Sequence, residues 1–183
     1  MNAGVVSMRY ASALWEYAAG RGVEDEIYAN MSQLMELLSN VKDFVVKLQN
    51  PTFDSKKKVS ILCSAVNNPS EVYRNFASLV VKQEREDLLI YIAHSYITLY
   101  RKKKNIVAVK LTTAIPLDEQ LTQKIVSLVK QEGYSSVELQ NIVDDSIIGG
   151  FILEVDSQRL DATLSSALKK IEKQLVDDSR RLV

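Results

Sequence analysis

The spacing of apolar residues changes at Asn105, and this change constrains the fold more than any other feature of the chain. Before it, apolar residues recur at intervals of three and four, which places them on one face of an α-helix. After it, the run Ile106–Thr113 is rich in β-branched residues, which favour strands. The sequence therefore predicts two domains, a helical one over 1–104 and a small α/β one over 105–183.

The first domain is predicted to contain six short helices. Gly20 and Gly22 end the first helix, and later breaks precede Pro51 and Pro69, because glycine and proline terminate helices. Ser70 is a good N-terminal cap for the fifth helix. Six helices joined by brief breaks predict an antiparallel bundle.

The second domain is predicted to have the order β-α-β-β-α. Gly149 and Gly150 form a structural turn before the third strand, since glycine readily adopts positive φ. The final helix is predicted to begin near Leu160. The fold class is therefore mainly α, an N-terminal six-helix bundle followed by a small α/β domain, with strands predicted over 106–113, 137–143 and 151–155.

Signatures of catalysis and of metal or cofactor binding are missing from the sequence. There is no glycine-rich phosphate loop, no His-Glu-x-x-His and no Gly-x-Ser-x-Gly, and His94 is the only histidine. Asp144 and Asp145 precede a short turn, where aspartate bonds nearby backbone amides. The sequence predicts no catalytic residue, no cofactor and no metal site.

The charge pattern argues against nucleic acid and membrane insertion. The formal net charge is zero, and the basic runs 56–58 and 101–104 contain no aromatic residues that would stack on bases. No apolar run approaches the roughly 20 residues of a membrane span. The first residues lack the basic-then-apolar pattern of a signal peptide. We therefore expect a cytosolic protein that reaches any membrane only through a partner.

The first helix carries three aromatic residues, Tyr10, Trp15 and Tyr17. Such residues pack in the core of a bundle or line a groove that accepts the apolar face of a partner helix. The residues alone leave both alternatives open.

Two motifs resemble those of a known family. The segment from Met8 to Ala18, MRYASALWEYA, resembles the RYA-x-AL-x-x-A first helix of ATP synthase delta subunits, a family that includes the mitochondrial oligomycin-sensitivity-conferring protein. The segments DSIIGGF at 145–151 and DATL at 161–164, followed by Leu168, are similar to the C-terminal signature of that family. Thr163 replaces the usual serine, and Ser165-Ser166-Ala167 replaces a stretch that is often rich in arginine.

This resemblance implies a non-catalytic stator subunit of a proton-translocating F-type ATP synthase, lying peripherally on the cytoplasmic side of the cell (inner) membrane. In the family, the helical domain binds the N-terminal helices of the alpha subunits on the catalytic head. The C-terminal domain binds the ends of the peripheral-stalk b subunits. Such a subunit resists the rotational torque on the head during ATP synthesis.

The resemblance directs two sets of site predictions. The alpha-subunit helix is expected in a groove between the first and fifth helices, formed by Tyr10, Ala13, Leu14, Tyr17, Phe76, Leu79 and Val80. The b subunits are expected on the apolar seam of the last helix, formed by Leu164, Leu168, Ile171 and Leu175. That seam has coiled-coil spacing, but covering the sheet of its own domain would explain it equally well.

Two hypotheses that assign the chain to other functional classes remain open. One is a helix-binding adaptor unrelated to ATP synthase, which would use the same groove. The other is an enzyme whose site is assembled from Asp and Tyr side chains. Turnover by the purified chain would favour the enzyme.

Overall fold

The computed structural model describes residues 3–41, 43–50, 52–116, 118–131, 133–155 and 158–181, without the side chains of 119–121, 128, 131 and 175–181. The chain divides into two compact units, Met1–Lys103 and Lys104–Val183. Each unit has its own core.

The N-terminal unit is helical, as predicted. The 3-10 turn Glu86–Leu88 lies directly in front of the sixth helix. The helices are α1 Ala3–Ala19, α2 Glu24–Asn40, α3 Phe44–Leu48, α4 Ser55–Ser64, α5 Glu71–Lys82 and α6 Leu89–Lys104.

Tyr73 of α5 ties α4 to the helical core. It is almost completely buried, and its hydroxyl donates a hydrogen bond of 3.1 Å to the carbonyl oxygen of Leu62. Burial raises the pKa of Tyr73 above its ordinary value, so the phenol remains a protonated donor. The buried polar group is therefore satisfied, as interiors require.

An aromatic cluster packs α1 and α2 against α6. Tyr28 stacks on Tyr100 with ring centroids 4.1 Å apart, and Trp15 meets the Tyr100 ring edge-on at 5.8 Å. Trp15 also lies against Tyr96, with centroids 6.3 Å apart. The indole of Trp15 therefore belongs to the packing of the bundle.

The C-terminal unit is a four-stranded sheet with two helices. The strand order is β2-β1-β3-β4, with β1 parallel to β2 and the other neighbours antiparallel. Its elements are β1 Ile106–Thr113, α7 Glu119–Gln131, β2 Ser136–Val143, β3 Phe151–Val155, β4 Gln158–Asp161 and α8 Leu164–Arg181.

The core of this unit lies between the central strand β1 and helix α7. Val107 and Val109 alternate inward from β1 and are at most 1% exposed, and Val129 of α7 packs with them. Alternation is expected of a strand with one face against a helix. The β-branched run that marked the domain change is thus the centre of the sheet.

The prediction that the last helix begins near Leu160 is wrong. Leu160 lies in β4, paired with Leu153, and the helix begins only at Leu164. The order is therefore β-α-β-β-β-α rather than β-α-β-β-α. The extra strand escapes prediction because its four residues are all exposed and carry no inward-facing apolar pattern.

Candidate partner-binding surfaces

A groove of about 270 Å³ lies between α1 and α5. Its floor is apolar, because Leu14, Val72 and Phe76 line it and are 3–6% exposed. Tyr17 and Leu79 stand at its edges and are 41% and 47% exposed. The remaining lining residues are Tyr10, Ala13 and Asn75.

Six of the seven residues predicted for the alpha-subunit groove meet here. The exception is Val80, which is 0% exposed and does not line the groove. A contact between Val80 and a partner is therefore not available in this conformation. The prediction also omitted Val72 and Asn75, which lie four residues before Phe76 and Leu79 on α5.

Each end of the groove carries an arginine held against a tyrosine of its lining. The guanidinium carbon of Arg21 lies 4.0 Å from the ring centroid of Tyr17. That of Arg85 lies 5.7 Å from the ring centroid of Tyr10. Both contacts are within the range of a cation–π interaction. Neither arginine was among the residues predicted from the sequence.

A second apolar groove, of about 510 Å³, opens between α2, α3 and α4. Leu37, Phe44, Phe53 and Ile61 line it, and Phe53 is 37% exposed. This groove was not predicted from the sequence, because its lining comes from three helices and from Phe53 in the loop before α4.

The apolar seam of α8 is exposed along the part that the structure describes. Leu164, Leu168 and Ile171 are 53%, 65% and 52% exposed. The side chain of Leu175 lies outside the described residues. The exposed fractions leave most of this seam free of the sheet of its own unit.

The two predicted turn glycines hold the start of α8 against the loop before β3. The backbone N–H of Leu164 donates to the carbonyl oxygen of Gly149 at 3.0 Å, and Gly150 has φ of 82°. A Cβ at Gly150 would lie 2.2 Å from the carbonyl oxygen of Ala162. The glycine is required here for both its conformation and its size.

The DATL segment explains how α8 begins. The Asp161 carboxylate accepts hydrogen bonds from the Thr163 N–H and hydroxyl at 3.0 and 2.8 Å, and from the Ser166 hydroxyl at 2.9 Å. These bonds lower the pKa of Asp161. Thr163 Oγ1 in turn accepts from the Ser166 N–H at 3.2 Å, which is a helix cap. Thr163 therefore supplies the hydroxyl that caps α8.

Asp144 behaves as the predicted turn residue. Its carboxylate accepts a hydrogen bond of 2.9 Å from the Ser146 N–H, and its pKa is lowered by its bonds to Ser146. Among the described residues, no three His, Cys, Asp or Glu side chains come together as a possible metal site. No helix in the same part of the chain is long and apolar enough to cross a bilayer.

Comparison with known proteins accounts for nearly the whole chain. Residues 6–175 match the model of the family described as "ATP synthase delta (OSCP) subunit". The ATP synthase subunit delta of Bacteroides fragilis is 38% identical over 186 aligned positions, covering 100% of both chains. That of Phocaeicola vulgatus is 36% identical, again over 100% of both.

A more distant bacterial relative and a solved structure agree. The ATP synthase subunit delta of Lactobacillus acidophilus is 34% identical over 95% of this chain and 96% of its own. A chain in the cryo-EM structure of the Toxoplasma gondii mitochondrial ATP synthase hexamer has a TM-score of 0.67 at 22% identity, covering 93% of this chain and 97% of that one. At that identity the likeness concerns the fold alone. The match of the family model and the full-length bacterial relatives together show that this chain belongs to the ATP synthase delta (OSCP) subunit family.

Proposed function

We propose that this chain is a non-catalytic stator subunit that links the catalytic head of a proton-translocating ATP synthase to its peripheral stalk. The groove between α1 and α5 binds an N-terminal helix of an alpha subunit. The exposed seam of α8 binds the ends of the b subunits. The protein lies peripherally on the cytoplasmic face of the membrane that carries the complex, and it resists torque on the head.

The observation that supports this proposal most strongly is the open apolar groove on the first helix. Leu14, Val72 and Phe76 form the floor of the groove and are buried. Tyr17 and Leu79 at its edges remain exposed. An apolar groove between two helices fits the apolar face of a third helix. In a member of the delta family, the alpha-subunit N-terminus is the partner we assign to it.

The direct test is a calorimetric titration of the full-length chain against a catalytic head depleted of its own delta subunit. We expect one copy to bind per head. Trp15 fluorescence provides a weaker second signal, because its ring packs on Tyr96 and Tyr100 rather than lining the groove. A folded chain that gives no heat with the head would refute the proposed function.

Filling the groove tests its location. Ala13 lines the groove and has the smallest side chain there, so Ala13→Phe places a ring where the partner helix approaches. We expect binding to the head to weaken by ~1–3 kcal/mol, the usual cost of overfilling a packed site. Ala19→Phe is the matched control, since Ala19 is exposed at the end of α1 and outside the groove. Equal affinity of the two variants would place the interface elsewhere.

Charging the α8 seam tests the stalk contact. Leu168 is 65% exposed, so Leu168→Glu is expected to fold normally. Its binding to the b subunits should weaken by about 2 kcal/mol or more, because a carboxylate would be buried at an apolar contact. Binding to the head should not change. Lys169→Gln, one residue along the same helix, makes the same change of −1 in net charge and controls for it. If Leu168→Glu joins the b subunits as tightly as wild type, the seam is not the stalk contact.

A further inference from the structure

The groove between α1 and α5 has a positively charged group at each end. Arg21 lies over Tyr17 at 4.0 Å and Arg85 lies toward Tyr10 at 5.7 Å. Both tyrosines line the groove. An arginine held against an aromatic ring is partly positioned in advance and still presents its N–H donors to a carboxylate.

Helix-ending motifs fix the backbone of both arginines. After α5, the Arg85 N–H donates to the Val80 carbonyl at 3.1 Å, and the Glu84 N–H donates to the Val81 carbonyl. After α1, the Val23 N–H donates to the Ala18 carbonyl at 3.2 Å, which closes the turn containing Arg21. These are the paired bonds of Schellman motifs.

The two arginines lie at opposite ends because the helices run antiparallel. Arg85 follows the C-terminus of α5 yet contacts Tyr10, which lies in the first half of α1. Arg21 follows the C-terminus of α1 and contacts Tyr17. Tyr10 and Tyr17 are seven residues apart on one helix, which is roughly 10 Å or two turns.

Over residues 3–22 and 71–85, the two groove helices and the turns that follow them carry five basic and three acidic residues, of which Glu84 precedes Arg85. Each groove helix contains one acidic residue, Glu16 on α1 and Glu71 on α5. The ion pairs found among the described residues include neither Arg21 nor Arg85. Arg9 on α1 and Lys82 in the last turn of α5 add to the positive charge.

We propose that the groove selects an acidic amphipathic helix, and that Arg21 and Arg85 pair with carboxylates near the two ends of its apolar stripe. The stripe spans about two turns, so the carboxylates lie about seven positions apart on the partner. The two pairs fix how far the partner helix slides along the groove. This inference rests on the proposed function, because it takes the alpha-subunit N-terminus as the segment that carries these carboxylates.

The test uses the full-length chain, a delta-depleted head and a synthetic peptide of the alpha-subunit N-terminus encoded in the same genome. Arg21→Glu/Arg85→Glu is expected to raise the Kd for the peptide about tenfold or more at low salt, with a slower association rate. The difference from wild type should shrink as salt rises, because exposed charges are screened. The matched control is Lys47→Glu/Lys56→Glu, which makes the same change of net charge on exposed residues outside the groove.

A second peptide makes the test reciprocal. In it, lysine replaces the acidic residues that flank the apolar stripe, and we expect this peptide to bind the double glutamate variant better than wild type. An unchanged Kd for that variant, or an alpha N-terminus without acidic residues beside its stripe, would overturn the inference while head binding still held. Failure of the wild-type chain to bind the head would instead overturn the proposed function.

Discussion

Replacing Gly150 with alanine is expected to destabilise the C-terminal unit by about 2–5 kcal/mol, through backbone strain and a steric clash together. Gly150 has φ of 82°, and an added Cβ would lie 2.2 Å from the Ala162 carbonyl oxygen and 2.9 Å from Thr163 Cα. Both contacts are with backbone, which cannot rotate away as a side chain would. The start of α8 must therefore separate from the loop before β3.

Gly133 provides the matched control for the clash. It also has positive φ, at 97°, but an added Cβ would meet nothing within 4 Å. Gly133→Ala therefore tests the effect of positive φ without a steric clash. It should lower the free energy of unfolding by roughly 1–2 kcal/mol. Gly149→Ala tests a contact with a side chain instead of backbone, because its Cβ would lie 2.7 Å from the flexible Leu164 side chain.

Hydrogen exchange on the full-length variants, with denaturant unfolding followed by circular dichroism, separates these cases. Loss of protection in Gly150→Ala should centre on β3 and the first turns of α8, while α1 to α6 keep their protection. Under the proposed function, stalk binding should fall and head binding should persist. If Gly150→Ala is no less stable than Gly133→Ala, the loop before β3 and the start of α8 do not approach each other this closely.

Most of the groove could be predicted because it depends on helix periodicity. Tyr10, Ala13, Leu14 and Tyr17 share one face of α1 by their spacing alone. On α5, periodicity predicts an apolar stripe. It does not predict which residues of that stripe line the groove and which are buried in the core. Val80 therefore appeared equivalent to Phe76, although only packing against the other helices determines which one a partner can reach.

The features that escaped prediction depend on contacts between residues far apart in sequence. Arg85 meets Tyr10 across 75 positions, and no local pattern brings them together. The strand β4 is short and exposed, so it exists through pairing with β3 rather than through its own apolar spacing. The buried ion pair of the helical unit is similar, since a run of three lysines does not indicate which one turns inward.

That ion pair joins α4 to the 3-10 turn before α6. Lys58 Nζ donates to Glu86 Oε1 at 2.9 Å, and the two side chains are 14% and 3% exposed. A carboxylate buried to this extent needs a partner, because leaving water is costly for a charge. The lysine is therefore expected to matter more for the folded state than its exposed neighbours in the same run.

Lys58→Met is expected to lower the free energy of unfolding by about 3–5 kcal/mol, because it leaves the Glu86 carboxylate buried without a cation. Adding Glu86→Leu should recover most of this loss, since an apolar pair of similar volume avoids the desolvation cost. Lys56→Met, at an exposed position in the same run, should stay within about 0.5 kcal/mol of wild type. The measurement is a double-mutant cycle. Denaturant unfolding is compared for the wild type, Lys58→Met, Glu86→Leu and the double variant. If the losses of Lys58→Met and Glu86→Leu simply add in the double variant, the two groups do not stabilise each other.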